Sequence, residues 1–208
     1  MSCSKDTTFQ RYKLERYFDI LDLNNNGKVE SEDLVLWGEK ATENFAEIGN
    51  PLTNENKAKL LKSLKQIFNA LTLYGFAGKS KSKQRFVGFL VFSSRLPFYR
   101  LIFARHVKPV LAAVDVNGDG KVSWEEFYCF VMKPIGMSEE DAKLAFKIID
   151  TNGDGSLSFD EYSTAVISYF TDTEVNKYSF FYGPLENVPE KFSGAVDAAM
   201  KSVKDSIK

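Results

Sequence analysis

The 208-residue chain is 44% hydrophobic and 26% charged, with a formal net charge of −1. This is an ordinary composition for a globular protein long enough to bury a sizeable core, and it argues against a disordered chain. The two cysteines, Cys3 and Cys129, are too few to staple a chain of this length, which favours a reducing compartment. The N-terminal stretch MSCSKDTT lacks the apolar run of a signal peptide, and Ser2 stands where N-myristoylation needs glycine. We therefore expect a cytoplasmic protein.

The first motif along the chain is the acidic, glycine-containing stretch DLNNNGKVESEDL, which begins at Asp22. Apolar residues at helical spacing flank it on both sides, and this pattern predicts a helix-loop-helix unit. These apolar residues are Leu14, Tyr17, Phe18 and Leu21 before the loop, and Leu34, Trp37, Ala41, Phe45 and Ile48 after it. A calcium loop of the EF-hand type has 12 residues, with oxygen ligands at positions 1, 3 and 5, a backbone carbonyl at 7, often a water at 9, and an acid at 12.

The loop Asp22–Asp33 fits this scheme with one departure at its last position. Its predicted metal ligands are Asp22, Asn24, Asn26, the carbonyl of Lys28 and Asp33, with Glu30 at position 9. Position 12 usually carries Glu, and Asp33 is one methylene shorter, so it suits the compact shell of Mg²⁺ better than that of Ca²⁺. We therefore predict mixed calcium and magnesium binding. The alternative is that Asp33 only caps the following helix.

A second unit is predicted between the first loop and Asp115, without a working loop. Asn50-Pro51 ends the preceding helix, and Thr53 is placed to cap the next one. That helix carries Leu60, Leu61, Leu64, Ile67, Phe68 and Leu71 on one face. The loop is then expected at Tyr74–Arg85, which reads YGFAGKSKSKQR and has no carboxylate. It cannot hold a cation, so we interpret this unit as a structural partner of the first.

Residues 76–108 form a basic segment with a local charge of +8, which leaves −9 for the rest of the chain. Its cations are Lys79, Lys81, Lys83, Arg85, Arg95, Arg100, Arg105 and Lys108. The segment also contains the most apolar stretch, Phe86–Ala104, which is too often interrupted to span a bilayer and is expected to form helices packed in a soluble core. We interpret the charge as a solvated basic surface. The alternative is an electrostatic contact with an anionic membrane or an acidic partner.

The third and fourth loops, Asp115–Glu126 and Asp150–Glu161, begin 35 residues apart and match the calcium pattern at every position. Their predicted ligands are Asp115, Asn117, Asp119, the carbonyl of Lys121 and Glu126, and Asp150, Asn152, Asp154, the carbonyl of Ser156 and Glu161. Val122 and Leu157, at position 8, are placed to pair as short strands. The sequence therefore predicts three Ca²⁺ sites, of which the first also accepts Mg²⁺.

Four units with loops one, three and four competent, Asp33 at position 12, and a tail reading KYSFFYGPL resemble the sarcoplasmic calcium-binding proteins of invertebrates. The resemblance covers roughly residues 9–185. It implies an all-α fold in which two EF-hand pairs pack face to face, and the tail Phe180–Leu185 folds back over an aromatic interior. It also implies a soluble calcium and magnesium buffer. Luciferin-binding proteins and calcium-regulated photoproteins share this architecture.

These observations predict an N-terminal EF-hand pair at residues 7–96, a C-terminal pair at 97–171, and a tail at 172–208. The tail extends beyond the family pattern into a predicted amphipathic helix with Phe192, Val196, Met200, Val203 and Ile207 on one face. We expect this helix to dock on the body of the protein or to extend the seal made by the tail. The alternative is a role in binding a partner.

Three functions are consistent with these sequence features. A calcium buffer fits best, a calcium-responsive carrier of an apolar, luciferin-like molecule is the leading alternative, and a calcium sensor is less favoured because 4 methionines poorly supply a Met-rich groove. No catalytic motif is present, so we expect neither an enzyme nor, with His106 as the single histidine, a photoprotein. We expect no nucleic-acid partner.

Overall fold

A computed structural model describes residues 6–73 and 80–206 of the chain. Helices dominate it, and four short strands lie in the loops between them. The helices are α1 Thr8–Leu21, α2 Ser31–Glu47, α3 Asn54–Leu73, α4 Lys83–Ser93, α5 Tyr99–Val114, α6 Trp124–Phe127, α7 Glu139–Ile149, α8 Phe159–Thr171 and α9 Glu190–Ser206. The strands are β1 Lys28–Glu30, β2 Ser80–Ser82, β3 Val122–Ser123 and β4 Ser156–Leu157. This arrangement confirms the predicted all-α fold of four helix-loop-helix units.

The strands join the units in two pairs. β1 pairs antiparallel with β2, and β3 pairs in the same way with β4. Val122 lies opposite Leu157, so the two loops meet at position 8, as predicted. Val29, also at position 8, lies opposite Lys81. Lys81 is the eighth residue of the window Tyr74–Arg85, so the predicted register of the second unit is confirmed, although residues 74–79 lie outside the described residues.

The exit helix of the third unit changes its winding after α6. It continues as a π-helical turn, Tyr128–Met132, and a 3₁₀ turn that contains Pro134. Proline has no N–H, so neither an α-helical nor a π-helical bond from residue 134 can reach the carbonyls of Phe130 and Cys129. Side chains of α2 supply the missing donors: Trp37 Nε1 donates to the Phe130 carbonyl at 2.6 Å and Asn44 Nδ2 to the Cys129 carbonyl at 3.1 Å. These bonds tie the first unit to the third.

One continuous apolar core draws residues from all four units and from the tail. Phe181 and Tyr182 of the tail are buried in this core, and Arg16 on α1 donates hydrogen bonds to the carbonyls of Tyr182 and Pro184. The tail therefore folds back over the aromatic interior, as the family resemblance implies. Gly183 turns the chain at this point, with φ of +84°.

The predicted C-terminal helix is α9, and it docks on the body. Its Val196 and Val203 are buried against Phe9 of α1, Ile148 of α7 and Phe180 of the tail. The rings of Phe9 and Phe192 lie 5.1 Å apart. Ile207, the last residue of the predicted apolar face, lies outside the described residues, as does Cys3. α9 thus bridges the helices that enter the first and fourth loops.

The expectation that Phe86–Ala104 packs wholly in the core is wrong. Within Phe86–Ala104, Phe86, Val87, Leu90 and Val91 are buried, but Phe92, Leu96, Phe98 and Leu101 are exposed. They lie on the outer face of α4, in the turn after it and on the outer face of α5, because a helix can turn only one face towards the core. Ile48 is exposed as well, since α2 ends at Glu47 and its last apolar residue falls on the turn. No helix in the described ranges has the length and apolar character needed to cross a bilayer.

Candidate metal-binding loops

The three predicted metal loops share one backbone conformation. At position 6, Gly27, Gly120 and Gly155 have φ of +79°, +79° and +82°. Position 4 is also left-handed: Gly118 and Gly153 occupy it in the third and fourth loops, and Asn25, with φ of +55°, in the first. Asparagine tolerates this region better than other residues with a Cβ, so the first loop keeps the fold of the other two without the second glycine.

The first aspartate of each loop organises the turn. Both carboxylate oxygens of Asp115 accept backbone hydrogen bonds, Oδ1 from Gly118 at 2.7 Å and Oδ2 from Gly120 at 2.9 Å. Asp150 receives the equivalent pair from Gly153 at 2.8 Å and Gly155 at 2.9 Å. In the first loop, Asp22 accepts from Asn26 at 3.0 Å and Gly27 at 2.8 Å. Each loop is therefore wound around its position-1 carboxylate.

Positions 3 and 5 repeat in the same way in all three loops. The position-3 side-chain oxygen accepts from the backbone N–H of position 5, and the position-5 oxygen accepts from that of position 7. In the third loop the first of these bonds joins Asn117 to Asp119 at 3.0 Å and the second joins Asp119 to Lys121 at 2.8 Å. The matching bonds are 3.0 Å at Asn24 and 2.9 Å at Asn26 in the first loop, and 2.8 Å at Asn152 and 3.0 Å at Asp154 in the fourth. The bonds to the N–H groups of Lys28 and Ser156 hold the backbone at position 7, the residue whose carbonyl is a predicted ligand.

The acid at position 12 closes each loop onto its start. One oxygen of Glu126 accepts from the Val116 N–H at 2.7 Å, and the other accepts from Ser123 at 2.8 Å. Glu161 bonds Thr151 at 2.9 Å and Ser158 at 3.0 Å in the same manner. Burial alone would raise the pKa of Glu161, but hydrogen bonds from Ser158 and Thr151 outweigh it and bring the pKa to about 2. This carboxylate is therefore ionised and ready to bind a cation at neutral pH.

Asp33 makes the same closure with its shorter side chain. It accepts from Asn24 N–H at 3.3 Å and Glu30 N–H at 2.8 Å, so it caps α2 and also faces the loop. The side chain is fully buried, and this burial raises its pKa, with a further upward contribution from the nearby Asp22. Two buried, mutually repelling carboxylates are stabilised by a cation between them. The first loop therefore fits a divalent metal by its charge and by its oxygen ligands.

In the described parts of the chain, no three His, Cys, Asp or Glu side chains converge into a ready-made metal cage. The predicted ligand sets of these loops combine carboxylates with asparagine side chains and backbone carbonyl oxygens, so they do not depend on three such side chains alone. A cross-loop ion pair also holds Asp154: Lys121 Nζ lies 2.8 Å from its Oδ2, and this contact lowers the pKa of Asp154. Sequence reasoning missed this bridge because it joins position 7 of one loop to position 5 of another.

A small cavity lies inside the core between the two EF-hand pairs. Its volume is about 70 Å³ and its lining is mostly apolar, with Tyr17, Trp37, Tyr162 and Tyr182 among the lining residues. Tyr182 comes from the tail and is hydrogen-bonded to Tyr17. Sequence reasoning predicted an aromatic interior closed by the tail but did not identify these four residues, because their convergence depends on how α1, α2, α8 and the tail pack. The side chain of His106 lies outside the described residues.

Models of EF-hand domains match the chain in three places. The EF-hand domain pair matches residues 130–167, and the EF hand matches residues 14–35 and 107–131. No curated protein matches the sequence. Together with the loop geometry, these matches define the class: the chain is a calcium-binding protein of the EF-hand type.

Several solved structures have a similar overall fold. The calcium-loaded apo form of the coelenterazine-binding protein from Renilla muelleri is 19% identical, with a TM-score of 0.70 over 84% of this chain and 95% of that one. A Streptomyces coelicolor calcium-binding protein is 21% identical, with a TM-score of 0.63 over 78% and 98%. Calcium-loaded apo-aequorin from Aequorea victoria is 16% identical, with a TM-score of 0.62 over 79% and 91%. The chain thus has the four-unit fold that its resemblance to sarcoplasmic calcium-binding proteins implies.

Proposed function

We propose that this protein is a cytoplasmic buffer of calcium and magnesium ions and has no enzymatic activity. The observation that carries the proposal is the shared hydrogen-bond pattern of three loops, each wound around oxygen ligands for a hard cation. The tail covers the aromatic interior, and this also supports the buffer function. A sensor exposes an apolar groove to its target, whereas Phe181 and Tyr182 fill the interior here.

The first loop is proposed to exchange calcium for magnesium. The shorter Asp33 side chain accepts from the position-9 amide of its loop, as Glu126 and Glu161 do in theirs, and we infer that the first loop closes more tightly around its last acid. A tighter loop with a shorter acid favours the smaller ion with its octahedral shell. The third and fourth loops have the longer acid and are proposed to be calcium sites.

Each loop contains its own matched control for testing these sites. The acid at position 12 is buried in the first and third loops and half-buried in the fourth, and in each loop it follows an exposed acid at position 11. The position-12 variants are Asp33→Asn, Glu126→Gln and Glu161→Gln, and their position-11 controls are Glu32→Gln, Glu125→Gln and Asp160→Asn. Isothermal titration calorimetry should find three calcium ions per chain for the wild type and for the controls, and one fewer for each position-12 variant. Three ions retained by a position-12 variant would remove that loop from the proposal.

Magnesium selectivity is tested by the same titration in excess Mg²⁺. We expect magnesium to suppress calcium binding at the first loop only, and the variant Asp33→Glu to reduce this suppression because the longer acid can bind calcium with both oxygens. Equal competition by magnesium at all three loops would refute the special role of Asp33.

A second candidate function is calcium-responsive carriage of an apolar small molecule. The cavity lined in part by Tyr17, Trp37, Tyr162 and Tyr182 favours it, because a mostly apolar space lined by aromatic residues is typical of a ligand site. The fold is also that of a protein named for binding coelenterazine. A volume of about 70 Å³ is below the roughly 300 Å³ that a drug-sized ligand needs, so carriage requires the tail to move outwards.

Extraction of the natively purified protein into organic solvent, followed by mass spectrometry, separates the two functions. A stoichiometric apolar compound that is absent from a Tyr182→Ala variant would favour carriage. An extract without such a compound, from a protein that still binds three calcium ions, would leave the buffer as the function.

A further inference from the structure

Four of the five exposed large apolar side chains among the described residues lie close together on the basic segment, at the turn between α4 and α5. Phe92 is 62% exposed, Leu96 43%, Phe98 67% and Leu101 71%. Three exposed cations, Arg95, Arg100 and Arg105, lie among or just after them along the chain, and residues 76–108 contain no acidic residue. We call these seven residues the basic apolar patch. We propose that this patch is a docking surface for an anionic lipid membrane.

The turn that presents the patch is ordered by buried anchors. Val91, Ser93 and Tyr99 alternate with the exposed residues and are buried beneath them. Backbone hydrogen bonds close the turn, from Leu96 N–H to the Ser93 carbonyl at 2.9 Å and from Tyr99 N–H to the Leu96 carbonyl at 3.0 Å. The outward position of the apolar side chains is therefore fixed by the fold, and exposing them requires no conformational change.

The degree of exposure indicates what kind of surface the patch fits. Side chains that are about two-thirds exposed stand out from the protein instead of lining a groove. Phenylalanine and leucine in such positions suit the boundary between lipid headgroups and acyl chains, which deforms around them. Arginine side chains beside them can reach the lipid phosphates with their charged ends. The patch therefore supplies both of the interactions that hold a peripheral protein on a membrane.

Charge separates a membrane from a second copy of the chain as the occupant. A two-fold contact through the patch would bring its three cations against the same three cations of the other copy, which is repulsive. An anionic bilayer attracts them, and the net charge of −9 outside residues 76–108 turns the remainder of the protein away from the bilayer. Long-range electrostatic attraction and direct contact with lipid therefore favour the same orientation of the protein, with the basic apolar patch towards the bilayer.

Co-sedimentation with vesicles tests the proposal. The full chain, kept in chelator so that calcium does not bridge headgroups to the acidic loops, is mixed with vesicles of phosphatidylcholine, with and without about 30% phosphatidylserine. We expect binding to the anionic vesicles and none to the neutral ones, and we expect high salt to weaken binding. Absence of binding to the anionic vesicles at low salt would overturn the proposal.

Two pairs of variants localise the contact. Arg95→Glu with Arg105→Glu should weaken partitioning at least about 25-fold, since each cation near an anionic surface contributes about a fivefold factor. The charge-matched control, Lys201→Glu with Lys204→Glu on the exposed side of α9, should leave binding unchanged. Phe98→Ser should weaken it about tenfold, and Ile48→Ser, an exposed apolar residue outside the patch, should not.

Other occupants of the patch give different results in the same experiments. If binding survives Phe98→Ser and is lost with the arginine variant, the contact is purely electrostatic, which fits an acidic protein and overturns insertion into lipid. If the wild type sediments as a dimer that Phe98→Ser dissociates, the patch belongs to a second copy of the chain. Equal loss of vesicle binding in the α9 control would show that the overall charge, and not the patch, carries the interaction.

Discussion

Replacing Lys13 with methionine is expected to stabilise the protein at neutral pH and to remove a pH-dependent part of its stability. Lys13 lies on α1 and is fully buried. Its Nζ is 5.2 Å from the ring centre of Phe9 and 5.3 Å from that of Tyr169, and it has no hydrogen-bond partner in the part of the chain that the structure describes. Two aromatic faces only partly replace the water that a free ammonium group would have.

The size of the effect follows from the pKa of this amine. Burial lowers the pKa of Lys13 from 10.5 to about 8, and the nearby Asp172 only partly opposes this shift. Between pH 8 and 10.5 the unfolded chain therefore binds more protons at this site than the folded protein, so the free energy of unfolding rises with pH over this range. Below pH 8 the full penalty is present, and it amounts to about 3 kcal/mol. Methionine has nearly the same length and no charge, so the variant does not carry this penalty.

Urea denaturation of the wild type and the variant Lys13→Met, at pH 7 and at pH 9.5 in saturating calcium, measures this difference. The variant should be more stable by about 3 kcal/mol at pH 7, and this advantage should shrink by about 2 kcal/mol at pH 9.5. The buried tyrosines, whose pKa values burial raises, affect both proteins equally and cancel in the comparison. An exposed lysine replaced in the same way, Lys62→Met, should show no such dependence. Parallel pH profiles for wild type and Lys13→Met would refute a charged amine in this position.

Three further predictions concern the contacts that hold the halves and the tail together. Truncation at Glu186 removes α9 and should lower the melting temperature by about 10 °C, because the apolar residues beneath it lose their cover; an unchanged temperature in a thermal scan would mean that α9 does not stabilise the body. Trp37→Phe leaves the Phe130 carbonyl without its donor and should cost about 1–3 kcal/mol in urea denaturation, with a cost below about 0.5 kcal/mol contradicting the role of this bond. Gly183→Ala places a side chain at φ of +84° and should destabilise the protein by about 1–2 kcal/mol. Its control, Gly194→Ala within α9, should stabilise the protein by roughly 0.5–1 kcal/mol. Equal effects of the two substitutions in urea denaturation would argue against strain at the tail turn.

Local rules made the loops and their pairing predictable, whereas the packing features depended on the whole fold. The position-8 rule placed Lys81 opposite Val29 even though the second loop has lost its ligands, because strand pairing needs only the backbone. The π-helical turn was not predicted, although Pro134 could have indicated it through the donor that it lacks. The exposure of Phe98 could not be predicted, since the same apolar sequence can pack against a core or face the solvent.

The two EF-hand pairs differ in how one loop can influence the next. In the C-terminal pair, β3 and β4 join two loops that both have complete ligand sets, and Lys121 bridges to Asp154, so an ion in one loop changes the charge felt in the other. In the N-terminal pair, β1 joins the first loop to β2, whose window Tyr74–Arg85 has no carboxylate. The first loop therefore has no metal-binding partner whose cooperative binding could favour calcium over magnesium. The proposed selectivity of the first loop for magnesium is therefore expected to come from its own ligands, above all from the reach of Asp33.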